Sequence, residues 1–303
     1  MIYTVTLNPA MDYYVSLPTL HVGHVNRSTS DRKVAGGKGI NVSRVLKGYG
    51  THSAALGFIG GFTGDFIHET VMQDGIDSNF IRIQGDTRIN VKIKAEEESE
   101  INGFSPEITI SDKDALEQQF KQLKKGDIVV LAGSIPPSLQ ANLYAEWTEQ
   151  LNGQGVHVFV DTSGEALKQV IKAKPAFIKP NQHELAELTQ SVITTKEDAI
   201  PHAKALVEQG VNYVLVSFAG DGALLATRDG IYSANAPKGE LINSVGAGDA
   251  TVAGFIHAHH EGASVEDAFR FGMASGSATA FSLGFGELAE VKRLEKEIEV
   301  STT

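Results

Sequence analysis

Ile128-Val129-Val130-Leu131-Ala132 and, further on, Val156-His157-Val158-Phe159-Val160-Asp161 are short runs dominated by β-branched and other apolar side chains. Such runs read as strands buried on both faces, as in a mostly parallel sheet. Comparable runs lie at Ile2–Leu7, Ser53–Phe58, Ala176–Lys179 and Val214–Phe218, with helical patterns between them. Strand and helix in alternation is the rhythm of βαβ units, so the sequence predicts an α/β fold around a mostly parallel central sheet. Thr194-Thr195-Lys196-Glu197 reads as a capping box in which Thr194 and Glu197 satisfy each other's free amides; it predicts a helix to about Gln209, closed by Gly210.

Two stretches break the rhythm. About 13–33 and 89–104 are extended patterns without a crossover helix, and they predict a small sheet outside the main one. A long non-helical insertion in an α/β domain is more often functional than idle, so the expectation is a β lid on a single domain spanning 1–303. The acidic residues Glu96-Glu97-Glu98 and Glu100 then mark a solvated hairpin tip. Beyond Gly246 the chain reads as helical. Its small residues Gly272-Met273-Ala274-Ser275-Gly276-Ser277-Ala278 allow either tight helix packing or a nucleotide lying against bare backbone.

Composition narrows the function. A formal net charge of -11 over 303 residues excludes a broad basic face for nucleic acid or anionic membrane, so any anionic ligand must be held by a few local cations. With no cysteine there are no disulfides, thiolate metal sites or cysteine nucleophiles. Met1–Leu7 is interrupted by Asn8-Pro9 too early for a signal peptide, and no apolar run approaches membrane-spanning length. The expectation is a cytoplasmic, soluble protein.

Asn243-Ser244-Val245-Gly246-Ala247-Gly248-Asp249 precedes a helical segment from Ala250 to His260. Glycines at a helix start free backbone amides to point at one place, where the helix end adds partial positive charge; the pattern binds an anion. A carboxylate there makes sense if Asp249 faces a hydroxyl while the amides hold the phosphoryl group moving toward it. Neither this stretch nor Gly36-Gly37-Lys38-Gly39 has the spacing of a P-loop, and Thr251 stands where a dinucleotide fingerprint needs a third glycine. Ala35-Gly36-Gly37-Lys38-Gly39-Ile40-Asn41 is a second glycine cluster opening a helix, with Asn41 able both to donate to and to accept from sugar hydroxyls. Asp12 lies just beyond the first strand, where α/β proteins bind ligands. His257, His259 and His260 lack the spacing of a metal-ligand pair and read as an exposed helix end.

Together the stretches Gly36 to Asn41 and Gly246 to Asp249 resemble the two signatures of the ribokinase-like, or PfkB, family, and the likeness runs through essentially the whole chain. It implies a three-layer α/β/α fold with a β lid, and transfer of phosphate from ATP, with Mg2+, to a sugar alcohol. By position it implies Asp249 as catalytic base, Gly246, Ala247 and Gly248 as anion hole, and Asp12, Gly36, Gly37, Asn41 and Ser134 as sugar contacts. Lys179, Asn181, Ser217, Gly220, Gly222, Ala274 and Gly276 are implied nucleotide contacts. Asn181 and Glu184 are similar to the family's Asn-x-x-Glu element, which orders Mg2+ through water. Many members carry Asp-Thr where this chain has Asn243-Ser244, so no carboxylate is expected there for a monovalent cation.

Arg27 and Arg88, in the two lid stretches, and Lys38 are the cations expected to hold a substrate phosphate, since guanidinium forks suit phosphate oxygens. Within the family the likeness is to members acting on sugar phosphates. It implies phosphorylation of the 6-hydroxyl of fructose 1-phosphate to fructose 1,6-bisphosphate, with tagatose 6-phosphate and fructose 6-phosphate as alternative acceptors. A sensor of sugar phosphate or nucleotide without catalysis is the alternative of another class. Exposed lid strands need covering, so a homodimer paired through the lids is expected.

Overall fold

The apolar runs become neighbouring strands of one sheet. The structure, a computed structural model, describes residues 1–302. Its strands are β1 (Ile2–Thr6), β2 (Ala10–Ser16), β3 (Ser30–Gly36), β4 (Ser53–Ile59), β5 (Asp77–Ser78), β6 (Ile81–Arg82), β7 (Ile89–Lys94), β8 (Glu98–Ile101), β9 (Ile128–Ala132), β10 (His157–Asp161), β11 (Phe177–Ile178), β12 (Tyr213–Ser217), β13 (Ala223–Ala226), β14 (Ile231–Ala234) and β15 (Val300–Thr302). The helices are α1 (Lys38–Gly48), α2 (Gly61–Gln73), α3 (Ile110–Phe120), α4 (Leu143–Gly153), α5 (Gly164–Lys172), α6 (Gln182–Thr189), α7 (Lys196–Glu208), α8 (Ala247–His260), α9 (Val265–Ala280) and α10 (Leu288–Glu295).

The main sheet runs β15-β14-β13-β12-β11-β10-β9-β1-β4-β5, with β6 also paired to β4. From β12 to β5 every pairing is parallel, while β13, β14 and β15 extend the sheet antiparallel. Alternation along β9 sets the layers. Val129 and Leu131 join a core with Leu116, Trp147, Leu167, Leu185 and Leu206 from α3 to α7. Ile128, Val130 and Ala132 join the opposite core with Val42, Phe255, Phe269 and Val291 from α1, α8, α9 and α10. Each fully buried large side chain contributes roughly 1.5–3 kcal/mol by leaving water, and a central strand feeding both layers earns this on either face. The fold is therefore three-layered, with the carboxyl ends of β1, β9, β10 and β11 along one edge.

The two stretches that break the rhythm pair with each other. They form a separate sheet in the order β3-β2-β7-β8, in which β2 is antiparallel to β3 and parallel to β7. Its strands reach back to Ala10 and on to Gly36, while residues 17–29 between β2 and β3 are an exposed loop rather than strand. Glu96 and Glu97 do lie at the β7–β8 turn, in solvent.

Four local readings differ. The box opening α7 sits one residue later than expected: Thr195 is the cap and accepts from Asp198 N, and the Asp198 carboxylate accepts from Thr194 N and Thr195 N. Those bonds hold the Asp198 carboxyl down at about 2. The expected strand Ala176–Lys179 pairs only over Phe177–Ile178. The antiparallel strands β13 to β15 lie outside the runs that read as strands in the sequence. His257 and His259 are partly buried: His257 Nδ1 bonds Thr51 Oγ1 at 2.6 Å and His259 packs against Phe255 and Tyr213.

Candidate active site

Strand β3 runs through Gly37, at φ 135°, directly into α1, and α8 opens after Gly246, which caps it at φ 81°. The left-handed backbone at Gly246 turns the chain so that α8 begins facing α1, a conformation costly for any residue with a Cβ. The first turns of the two helices meet at Asp249. Asn41 Nδ2 donates to Asp249 Oδ2 at 2.8 Å, and Lys38 Nζ lies 3.9 Å from Asp249 Oδ1. Asp249 is only 5% exposed, yet it is turned to the glycine-rich start of α1 rather than into the sheet.

Beneath it lies Asp161, the last residue of β10. Lys38 Nζ donates to Asp161 Oδ2 at 3.0 Å, and Lys179 Nζ is 3.5 Å from Asp161 Oδ1. Lys179 in turn reaches Gly248, where an added Cβ would stand 3.1 Å from Nζ. Burial raises the Asp249 carboxyl to about 6, with Lys38 opposing and Asp161 reinforcing the shift. Burial would raise Asp161 too, but its two lysines hold it below the usual carboxylate range. Burial works against the Lys38 ammonium, and the carboxylates of Asp161 and Asp249 outweigh it, so its pKa is raised. At the start of α8, Ala247 N already donates to Ser244 O at 3.3 Å. A carboxyl raised toward neutrality, beside fixed cations and the Gly246 and Gly248 amides, suits proton acceptance next to a migrating anion.

The other end of the site lies where the small sheet joins the main one. Gly36 leaves room for the Asp12 carboxylate, which a side chain at Gly36 would strike. Asn90 Nδ2 donates to Asp12 Oδ1 at 2.9 Å across the β2–β7 pairing. Arg88 donates from Nη2 to Asn8 O at 3.1 Å, while its Nε is buried with no partner among the described residues. A buried donor without an acceptor is costly, and a ligand oxygen would relieve it. Asn8 also donates to Ser134 Oγ at 3.1 Å and accepts from Ser105 Oγ at 2.9 Å. The residue before the arginine, Thr87, is fixed to the main body: its N donates to Gly60 O, its Oγ1 accepts from Gly60 N, and its O accepts from Thr63 Oγ1.

Of the residues expected to contact nucleotide and Mg2+, Asn181 and Glu184 form a reciprocal capping box on α6, with Glu184 Oε2 accepting from Asn181 N at 2.8 Å. Asn181 bridges in parallel to Ser217, and the turn through Gly220 ends at Gly222 against Ala234 O. Ala274 is fully buried, and Gly276 faces Thr251 of α8 so closely that no side chain would fit. Gly254 and Gly272 make the same close approach, and Ser275 Oγ donates to Ala250 O while bonding Tyr49 OH. Gly272, Ser275 and Gly276 of α9 pack against α8, while Ala278 packs against Gly286. Arg27 stands apart in the exposed 17–29 loop. Sequence reasoning gave no role to Asp161, Asn8 or Asn90. Asp161 was the most findable, as an acid ending an apolar parallel strand at the sheet edge where ligands bind.

Residues 5–291 match the pattern of the pfkB family carbohydrate kinases. The chain belongs to this family. Among pfkB kinases it is 51% identical to the 1-phosphofructokinase of Bacillus subtilis (strain 168), over 99% of each chain. It is 34% identical to the D-tagatose-1-phosphate kinase of Bacillus licheniformis, again over 99% of each. Its backbone superposes on the crystal structure of phosphofructokinase-2 from Escherichia coli in complex with substrates and products at a TM-score of 0.93, with 27% identity over 98% of both chains. The pfkB kinase fold thus includes the small sheet, and no helix among the described residues is long and apolar enough to cross a membrane.

Proposed function

We propose that this pfkB kinase transfers the γ-phosphoryl group of ATP to the 6-hydroxyl of fructose 1-phosphate, giving fructose 1,6-bisphosphate. The observation that carries the reading is the meeting of Asn41, Lys38 and the open start of α8 on a half-protonatable Asp249. A loose phosphoryl-transfer transition state asks little covalent work of the protein, so alignment and charge stabilisation supply most of the acceleration. Asp249 orients the acceptor hydroxyl and takes its proton as the oxygen–phosphorus bond forms. The amides of Gly246, Ala247 and Gly248 receive charge on the transferred group, with Lys179 beside them. Asp12, Gly37 and Asn41 hold the sugar hydroxyls. Arg88 and Ser134 meet the substrate phosphate at the far end, and Arg27 joins them when the small sheet acts as a lid.

Magnesium fits what is present. Among the described residues no group of three or more acidic or imidazole side chains could hold a metal alone, so the ion would be carried mainly by phosphate oxygens and water, as Mg2+ prefers. Glu184 Oε1, whose partner oxygen caps α6, is the group to order that water together with Asn181. Bound there, the ion would neutralise charge on the triphosphate. The working protein is cytoplasmic and pairs through its lids, where Val22, Val25 and Phe104 are more than 80% exposed.

Initial rates with fructose 1-phosphate, tagatose 1-phosphate, tagatose 6-phosphate, fructose 6-phosphate and fructose, at equal ATP and magnesium, test the assignment. The expected outcome is the highest kcat/KM for fructose 1-phosphate. Preference for a 6-phosphate, whose phosphate occupies the position to be phosphorylated here, would overturn it; saturable binding without ADP release would favour a sensor.

A further inference from the structure

One buried carboxylate of the site has no part in the transfer just described. Asp161, 3% exposed at the end of β10, divides its two oxygens between Lys38 at 3.0 Å and Lys179 at 3.5 Å. Each lysine serves a different part of the reaction. Lys38 lies 3.9 Å from the proton-accepting Asp249, nearer to Asp161 than to the base, and Lys179 lies against Gly248 in the anion hole. Lys38 is 43% exposed along its side chain and could swing to a full ion pair with Asp249 if nothing held it back. A carboxylate so paired is a weak proton acceptor, because the cation favours its ionised form.

We propose that Asp161 is a positioning residue that withholds Lys38 from a full ion pair with Asp249 and pins Lys179 beside the Gly248 amide, so that one carboxylate sets both the strength of the base and the place of a fixed cation. The inference rests on Asp249 being the base. The charged groups facing Asp249 are Lys38 from α1, Asp161 from β10 and Lys179 just after β11, with Glu184 of α6 acting on Lys38. Two lysines against two carboxylates leave the cluster balanced when Asp249 is ionised. Removing the Asp161 charge upsets that balance in one direction and removing Lys38 in the other.

The test is the pH dependence of kcat/KM in Asp161→Asn and Lys38→Met, beside Asp249→Asn. In Asp161→Asn the base loses a negative neighbour and gains the released Lys38; both lower its pKa, so the acid limb should move to lower pH by about one unit or more. In Lys38→Met the base loses its cation, and the limb should move to higher pH. A residue that only supported the fold would move neither limb. Turnover of Asp161→Asn at pH 8 should fall about 10²-fold from misplaced lysines, with partial recovery in Asp161→Glu. Should Asp161→Asn prove inactive, carbon-13 titration of the Asp249 carboxyl, assigned against Asp249→Asn, reads the same downward shift without turnover. A limb and a carboxyl titration both unmoved in Asp161→Asn, with Asp249→Asn inactive, would overturn the proposal. Near-normal turnover in Asp249→Asn would instead remove the base on which it rests.

Discussion

Around Asp249 the charges answer one another: Asn41, Lys38, Asp161 and Lys179 are tied in one cluster, with both carboxylates and Lys179 buried and Lys38 partly exposed. At the other end of the site Arg88 keeps a buried Nε without an acceptor among the described residues, and Arg27 stands in an exposed loop. The first region is complete in itself and so can be preorganised for charge that develops only in the transition state. The second is incomplete, and in the function proposed above a substrate phosphate would complete it. Arg88 and Arg27 also differ from each other. Thr87 fastens one to the main body through Gly60 and Thr63, whereas the loop of the other is held mainly by its own Asn26, which bonds His21 and His24.

The contrast can be broken at either end. Asp249→Asn should lower kcat by about 10²–10⁴-fold while leaving both KM values near the parent, since a positioned base acts in the transition state. In the parent, kcat/KM should rise with pH and reach half its plateau near the Asp249 value of about 6, because the ionised form accepts the proton. Arg88→Ala should raise KM for the sugar phosphate by about 10–100-fold with kcat less affected, the loss of a charge-assisted bond of about 1.5–3 kcal/mol. A rise confined to the KM for ATP would place Arg88 at the wrong end. Arg27→Ala should raise the same KM only about two- to five-fold, and less at high salt, as befits an exposed charge. An Arg27 effect as large as that of Arg88 would show that the loop is as firmly built into the site as the strand.

The strands that carry the site were legible because both faces of them are buried, which writes their identity as continuous apolar runs. The added edge was not, since Ala223-Leu224-Leu225-Ala226 lacks β-branched residues and Val300–Thr302 is too short to show a period. The α7 box slipped by one residue because two threonines and two acids stand in succession, and only geometry shows that Asp198 reaches back where Glu197 does not. The glycine motifs marked Asp249 and Asn41, as turns that only glycine makes leave a visible trace. Asp161 left a fainter one: its importance comes from two lysines brought to it from residues 38 and 179, a juxtaposition that only the folded sheet creates.

The seam between α8 and α9 carries a consequence for variation far from any ligand. Gly254, Gly272 and Gly276 let the two helices touch backbone to backbone, and Tyr49 and Ser275 fasten the first turn of α8 through Ala250 O. Thickening that seam by a single methyl group would tilt the helix whose opening turn bears Asp249. A survey of inactivating changes should therefore trace a stripe along the face of α8 that packs on α9.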